Sequence, residues 1–499
     1  MVPIILNACL LAAIVSGQTR TSSAPDVATT SGGNQRTISV SPGPWSVLRI
    51  ENLDEEDIDT PIVLAPGQPD LSDAVAMVQA ICKGRNTDAE KAAALLDFVR
   101  EHIRLWAPPC PADAGNPIRV LNAYGYGNCT SFAQTLSWLA NCAGLEARVV
   151  SIPGHALSEI FHDGAWHAYD ANGDRMVRKE DGTLASAEEI HLDPALLDRS
   201  TTALFPTPDT FDLEALKKAY ASGVSYSDPL PAAADCRIAF VLHPEESIEW
   251  YLGDRVRCFP YQSPSFMGCP PRNICASGTL FYRPNLSLPH FRKRWGLGQR
   301  QDDLVLVDGK LTVSQAKRIE QIRMKWDFPW PVVGGRLILK GYRSRGAGSI
   351  RCWLHRPDDL RRIELGEIVW DLPGESGEFE RVADLGIAAV LPAPAPLYAV
   401  DLELRMFKSA PDARLEISAV QVEVDLQRAP KTLPPPILPE TLIYRDRSPG
   451  PRRVRVTLRH DANPSPGPTR PETGAGETGK EAPHGNASPA RLRHSDAIQ

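Results

Sequence analysis

The chain has 499 residues, a formal net charge of −7, 45 prolines and only 7% aromatic residues. That length exceeds what one hydrophobic core organises and predicts two to four domains. The modest acidity, without a clustered basic face, argues against a nucleic-acid binder, and the proline content predicts a β-rich, loop-rich chain without long helices.

In chain order, residues 1–17 read as a signal peptide. Pro3 to Val15 is apolar but too short to span a bilayer, and Val15-Ser16-Gly17 offers small residues for cleavage. No later stretch is long and apolar enough to cross a membrane. A secreted, periplasmic or cell-surface location is therefore expected. Residues 18–36, rich in Ser, Thr and Gly, read as a disordered linker. Trp45 to Ile50 predicts a strand, and Leu71 to Lys83 a helix ending at Gly84. Thr87 with Glu90 has capping-box spacing and opens a second helix, with Leu95, Val99, Ile103 and Trp106 as its buried stripe, ending before Pro108-Pro109.

The stretch from Gly125 to Asp174 carries the chemistry. A small-residue loop delivers Cys129 to the start of an amphipathic segment, in which Phe132, Leu136 and Leu139 recur at helical spacing and Gly144 supplies the stop. Ala147 to Ile152 is β-prone. His155 opens a second strand, Asp163-Gly164 makes a tight turn, and Trp166 to Asp170 returns as the partner strand. The order is thus Cys at a helix N-terminus, then His and Asp on neighbouring strands. Helix N-terminal N–H groups favour a thiolate. An imidazole can take the thiol proton and return it to a leaving amine, and a carboxylate behind the imidazole fixes its tautomer and steadies its charged form. Cys129, His155 and Asp170 are the predicted catalytic residues. The Cys129 N–H is the expected oxyanion donor, and Asn128, Gln134 and Glu159 are further oxyanion or cleft candidates. His162 and His167 read as surface or supporting residues, because alternation turns His167 away from Trp166 and Asp170.

This stretch resembles the transglutaminase-like superfamily, whose papain-like core has the order Cys, His, Asp. The residues that carry the resemblance are Gly127-Asn128-Cys129, Gly154-His155-Ala156, Trp166-His167-Ala168-Tyr169-Asp170 and the strand Leu145-Glu146-Ala147-Arg148-Val149-Val150, within Thr87 to Met176. The resemblance implies an α+β papain-like core in a bacterial-type secreted multidomain protein. It also implies attack of a thiol on an amide carbonyl, with water or a lysine amine as acyl acceptor.

Beyond Asp174, residues 201–235 read as a linker with one helix near Leu213 to Ala221. Residues 236–327 form a β-rich domain and 328–427 a jelly-roll-like β-sandwich, with Trp330, Tyr342 and Trp353 as core residues. Residues 428–460 are a proline-rich strap followed by a last strand pair, Leu442 to Tyr444 and Val454 to Leu458. Residues 461–499 read as a disordered tail. Setting aside Cys9 and Cys129 leaves eight of the ten cysteines for disulfides, with Cys258, Cys269 and Cys275 the best placed. No cysteine spacing fits zinc. Asp170 to Asp181 imitates a calcium loop but has Arg175 where glycine is needed. No metal and no cofactor is expected.

The fold class is therefore α+β, a transglutaminase-like core (37–200) followed by β-rich domains. The expected function is a secreted thiol acyl-transfer enzyme, a cysteine protease, amidase or protein-glutamine acyltransferase, with a protein or peptide amide as partner. The alternative is a non-catalytic extracellular scaffold that binds carbohydrate through its sandwich.

Overall fold

The computed structural model describes residues 26–32, 35–41, 43–106, 111–173, 175–202, 213–228, 237–253, 257–262, 273–300, 303–355, 362–363, 376–385 and 397–460. The expected signal peptide, the tail from 461, and Cys9, Cys110, Cys236 and Cys269 lie outside these residues. All the described residues fall within one compact unit, Met1–Ala462.

The chain is β-rich with few helices. A 13-stranded sheet dominates it, with Asp26–Gly32 at one end, then Arg452–Arg459, Val47–Asn52, Glu246–Tyr251, Gly278–Tyr282, Leu415–Leu426, Ile319–Arg343, Leu397–Lys408, Gly348–His355 and Arg362–Ile363. Its longest strand shows why these sequences are strands. Ile322, Met324, Trp326, Phe328 and Trp330 are buried, while Arg323, Lys325 and Asp327 between them are exposed, a period of two. In Leu397–Lys408 the residue types alternate, although both faces are buried from Ala399 to Leu404. Val400, Leu402, Leu404 and Met406 are fully buried on one face, and on the other Asp401 and Glu403 pair with Arg323 and Arg405.

This topology corrects three expectations. The boundary at 327/328 falls inside Ile319–Arg343, so the 236–327 block and the expected sandwich share one sheet. Alternation specifies that a segment is a strand but not which strand it pairs with. Asp26–Gly32, expected in the linker, pairs antiparallel with Arg452–Arg459. The last two strands do not pair with each other. Thr441–Arg445 joins Gln35–Ser39 and Ile62–Leu64, and Arg452–Arg459 joins Val47–Asn52. Ladder hydrogen bonds from the C-terminal strands thus satisfy the N-terminal ones, overriding a composition that reads as disordered.

The α+β part sits between the first and second blocks of sheet strands in the sequence. Asp73 caps Ala74–Ile81 and Thr87 caps Asp88–His102, the latter with the expected capping box. The second helix stops at His102, short of Trp106, and Arg104–Leu105 instead pairs parallel with Tyr126–Gly127. The helix Cys129–Cys142 buries Phe132, Leu136 and Leu139 as their spacing requires, each contributing about 1.5–3 kcal/mol of transfer free energy. It ends at Gly144, whose φ of 81° is the left-handed conformation that glycine adopts without strain. A four-stranded sheet covers it, ordered Ala165–Tyr169, His155–His162, Glu146–Ile152, Ser225–Ser227. Ser225–Ser227 and the helix Leu213–Ala221, expected in a linker, belong to this fold: the strand extends the sheet, and Leu216 and Tyr220 pack with Val150, Ile152 and Leu157 beneath it.

The cysteine expectation is revised in part. Cys82 and Cys352 are free thiols, and Cys352 is buried in the core. The backbones of Cys258 and Cys275 are register partners in a two-stranded ribbon.

One cluster joins the large sheet to the segment ahead of Cys129. The hydroxyls of Tyr124 and Tyr398 both lie 2.7 Å from Asp113 Oδ2, and Arg119 donates to Asp113 Oδ1 at 2.7 Å. Asp113 is 1% exposed. The strap adds a backbone bond from Ala429 N–H to Asn122 O, 2.8 Å. Removing one hydroxyl from a buried carboxylate removes a charge-assisted hydrogen bond. Tyr398→Phe is therefore expected to destabilise the chain by about 1.5–3 kcal/mol. Thermal unfolding compared with wild type measures this, and an unchanged midpoint would deny the cluster that role.

Candidate active site

The site is assembled from the helix Cys129–Cys142 and two adjacent strands. Asn128 caps the helix: its Oδ1 accepts from Ser131 N–H at 3.2 Å. Gly127 is required by proximity, because a Cβ there would meet Ser131 Cβ and Oγ at 2.3 Å. The loop therefore closes tightly on the first helical turn and sets Cys129 at its start. His155 begins the strand His155–His162. The turn Asp163-Gly164, with φ of 53° and 79°, returns the chain as Ala165–Tyr169 and delivers Asp170. Positive φ at both positions is the hairpin geometry that follows strand twist.

Cys129, His155 and Asp170 come together. His155 Nε2 lies 2.8 Å from Asp170 Oδ2, with the His155 side chain fully buried and that of Asp170 8% exposed. The second carboxylate oxygen, Oδ1, accepts from Gly173 N–H at 2.7 Å. His155 and Cys129 act on each other electrostatically, each shifting the other's proton equilibrium. The backbone N–H groups of Thr130 and Ala156 also act on the thiol.

The two proton equilibria shift in opposite directions. Burial pushes the Cys129 thiol up, but the His155 hydrogen bond and charge, with the Ala156 and Thr130 N–H groups, outweigh it and hold the thiol below its ordinary value. Burial pushes His155 down, but the charge and hydrogen bond of Asp170, reinforced by Cys129, raise it to about 10. A lowered thiol beside a raised imidazole is the condition for a thiolate–imidazolium pair.

The cleft candidates fare differently. Glu159 is fully buried, not in a cleft. It pairs with Arg148 at 2.6 Å and accepts from Ala187 N–H at 2.6 Å. A buried carboxylate needs such partners, and Arg148, stacked between Trp166 and Tyr226, supplies the charge. The Asn128 carbonyl is spent on the helix cap. Gln134 is half-buried and, at 100° per residue, turned about 140° around the helix from Cys129. His162 and His167 are not surface residues. Both are 6% exposed and stack at 4.0 Å, with His162 Nε2 2.7 Å from the Tyr169 hydroxyl. Alternation turned His167 away from Asp170 but could not tell that its side chain is buried.

Sequence reasoning missed the donors that are backbone, Thr130 and Ala156, which carry no side-chain signature. It also read Trp106 as helix core. Trp106 is half-buried, and its backbone N–H donates to Gly127 O at 2.9 Å, beside the Cys129 loop. Among the described residues, no group of three His, Cys, Asp or Glu side chains could hold a metal ion, and no helix is long and apolar enough to cross a membrane.

The shifts fix a pH dependence. Thiolate forms as pH rises through the lowered thiol value, so Cys129 alkylation by iodoacetamide should reach half its maximal rate below pH 9.0, the ordinary thiol value. In His155→Ala the burial effect is opposed only by the Ala156 and Thr130 N–H groups, and the midpoint should move to higher pH. Peptide mapping of the alkylated protein reads both midpoints, and identical profiles would contradict the coupling.

Residues 75–171 match the family model described as the Transglutaminase-like superfamily. No curated protein matches the chain. Two solved structures are among its matches. That of infectious bursal disease virus, Gx strain, is 15% identical with a TM-score of 0.20, covering 43% of this chain and 49% of that one. The VP2 subviral particle of infectious bursal disease virus is 13% identical with a TM-score of 0.20, covering 46% and 52%. The chain thus spans about half the length of these structures, and at that TM-score the likeness carries no argument. The family match covers both strands and the helix of the site, and the chain carries a transglutaminase-like superfamily domain at residues 75–171.

Proposed function

We propose that this domain is a thiol acyl-transfer enzyme acting on carboxamide or peptide bonds, working outside the cytoplasm. The observation that carries the reading is the buried Asp170–His155 contact, coupled electrostatically to the Cys129 thiol. Cys129 sulfur attacks the carbonyl carbon and forms an S–C bond. The carbonyl π electrons move to oxygen, where the Cys129 N–H stands as donor. Collapse of the tetrahedral adduct breaks the C–N bond. The nitrogen leaves with the proton held on His155, as amine or ammonia, and a thioester remains. His155 then takes a proton from water or a primary amine, which attacks the thioester and releases Cys129. Water gives hydrolysis and an amine gives cross-linking. We favour water as acceptor. Asp170 orients His155 throughout and balances its charge. The apolar run Pro3 to Val15 supports export.

A labelled primary amine incubated with a casein-like acceptor tests this. Wild type should yield new fragments or labelled casein, and Cys129→Ala should lose that product by on the order of 10³-fold or more. Equal product from both proteins would contradict the proposal.

A further inference from the structure

The loop that follows the acid, Asp170-Ala171-Asn172-Gly173, folds back over its own carboxylate. Gly173 N–H donates to Asp170 Oδ1 at 2.7 Å, so a side-chain oxygen closes the loop three residues on. The loop lies so close that a Cβ on residue 173 would sit 2.3 Å from Asp170 Oδ2, 2.8 Å from Cγ and 3.2 Å from Oδ1. Oδ2 is the oxygen that holds His155. The carboxylate has little room to retreat. Asp170 is a short side chain, 6% exposed, and is pinned by hydrogen bonds at both oxygens. Any rotation that relieved the clash would lengthen the contact to Nε2.

We infer that Gly173 is a positioning residue for the acyl-transfer reaction. By lacking a side chain, it lets the loop clamp the Asp170 carboxylate in line with His155, and through His155 it sets the ionisation of Cys129. The inference rests on the function proposed above. The three atoms nearest a Cβ at residue 173 all belong to Asp170. The influence of Gly173 passes through one oxygen, so it should vanish when that oxygen is removed.

The test measures the pH profile of Cys129 alkylation on the full chain for wild type, Gly173→Ala, Asp170→Ala and the double variant. Gly115→Ala is the control, since a Cβ there meets nothing within 4 Å. Gly173→Ala should move the alkylation midpoint to higher pH and slow alkylation at neutral pH by about tenfold, the equivalent of one pKa unit. Gly115→Ala should match wild type. In the Asp170→Ala background the carboxylate is gone, so adding Gly173→Ala should change nothing. Should Gly173→Ala alone fail to fold, the double variant should fold like Asp170→Ala, because the clash has been removed. A wild-type profile for Gly173→Ala, or a double variant worse than Asp170→Ala, would overturn the inference. A wild-type thiol whose midpoint is not lowered would instead overturn the acyl-transfer reading, so the two failures are distinguishable.

Discussion

A protonated imidazole shut away from water is tolerable only beside a negative charge, and the contact between His155 and Asp170 supplies it. His155 has no exposed side-chain surface. Left alone there, it would lose its proton, because burial disfavours the charged form. Asp170 reverses that preference, and the retained positive charge draws the Cys129 thiol toward thiolate. The order of dependence runs from carboxylate to imidazole to sulfur. The structure spends its local constraints accordingly: Gly173 fixes the carboxylate, the Asp163-Gly164 turn brings the two strands into register, and Gly127 with Asn128 fixes the start of the helix.

The large sheet contributes to this arrangement from a distance. Tyr398 at the start of a sheet strand shares Asp113 with Tyr124, which stands five residues ahead of Cys129. The strap after Leu415–Leu426 bonds the backbone at Asn122. The segment that presents the thiol is therefore clamped between its own helix and strands that come hundreds of residues later. The N-terminal strands are in turn held by the C-terminal ones. The sheet and the transglutaminase-like domain share one compact unit, and loss of sheet order should be felt at the site.

Much of the site could be read from the sequence, for a physical reason. Helix and strand periodicity, glycine stops and the two-residue turn are local signals, and together they place Cys129, His155 and Asp170 on a helix start and two paired strands. What could not be read is non-local. Alternation turns His167 away from Asp170 but says nothing of burial, so the surface reading of His162 and His167 gives way to the supporting one. Glu159 alternates onto the face opposite His162, and only the partnership with Arg148 and Ala187 explains a carboxylate there. Strand existence was legible in Ile319–Arg343 and Leu397–Lys408, but strand partners were not. Pairing of Asp26–Gly32 with Arg452–Arg459 depends on contacts more than four hundred residues apart, beyond the reach of any sequence window.

Most directly, the central claim is tested by the ultraviolet absorbance of the thiolate, measured as the difference between wild type and Cys129→Ala across pH. The account predicts a thiolate signal that persists on acidification below pH 9.0, the ordinary thiol value, and is lost from that range when Asp170 is replaced by alanine. A signal that emerges only above pH 9.0 in wild type, or one indifferent to Asp170, would contradict it.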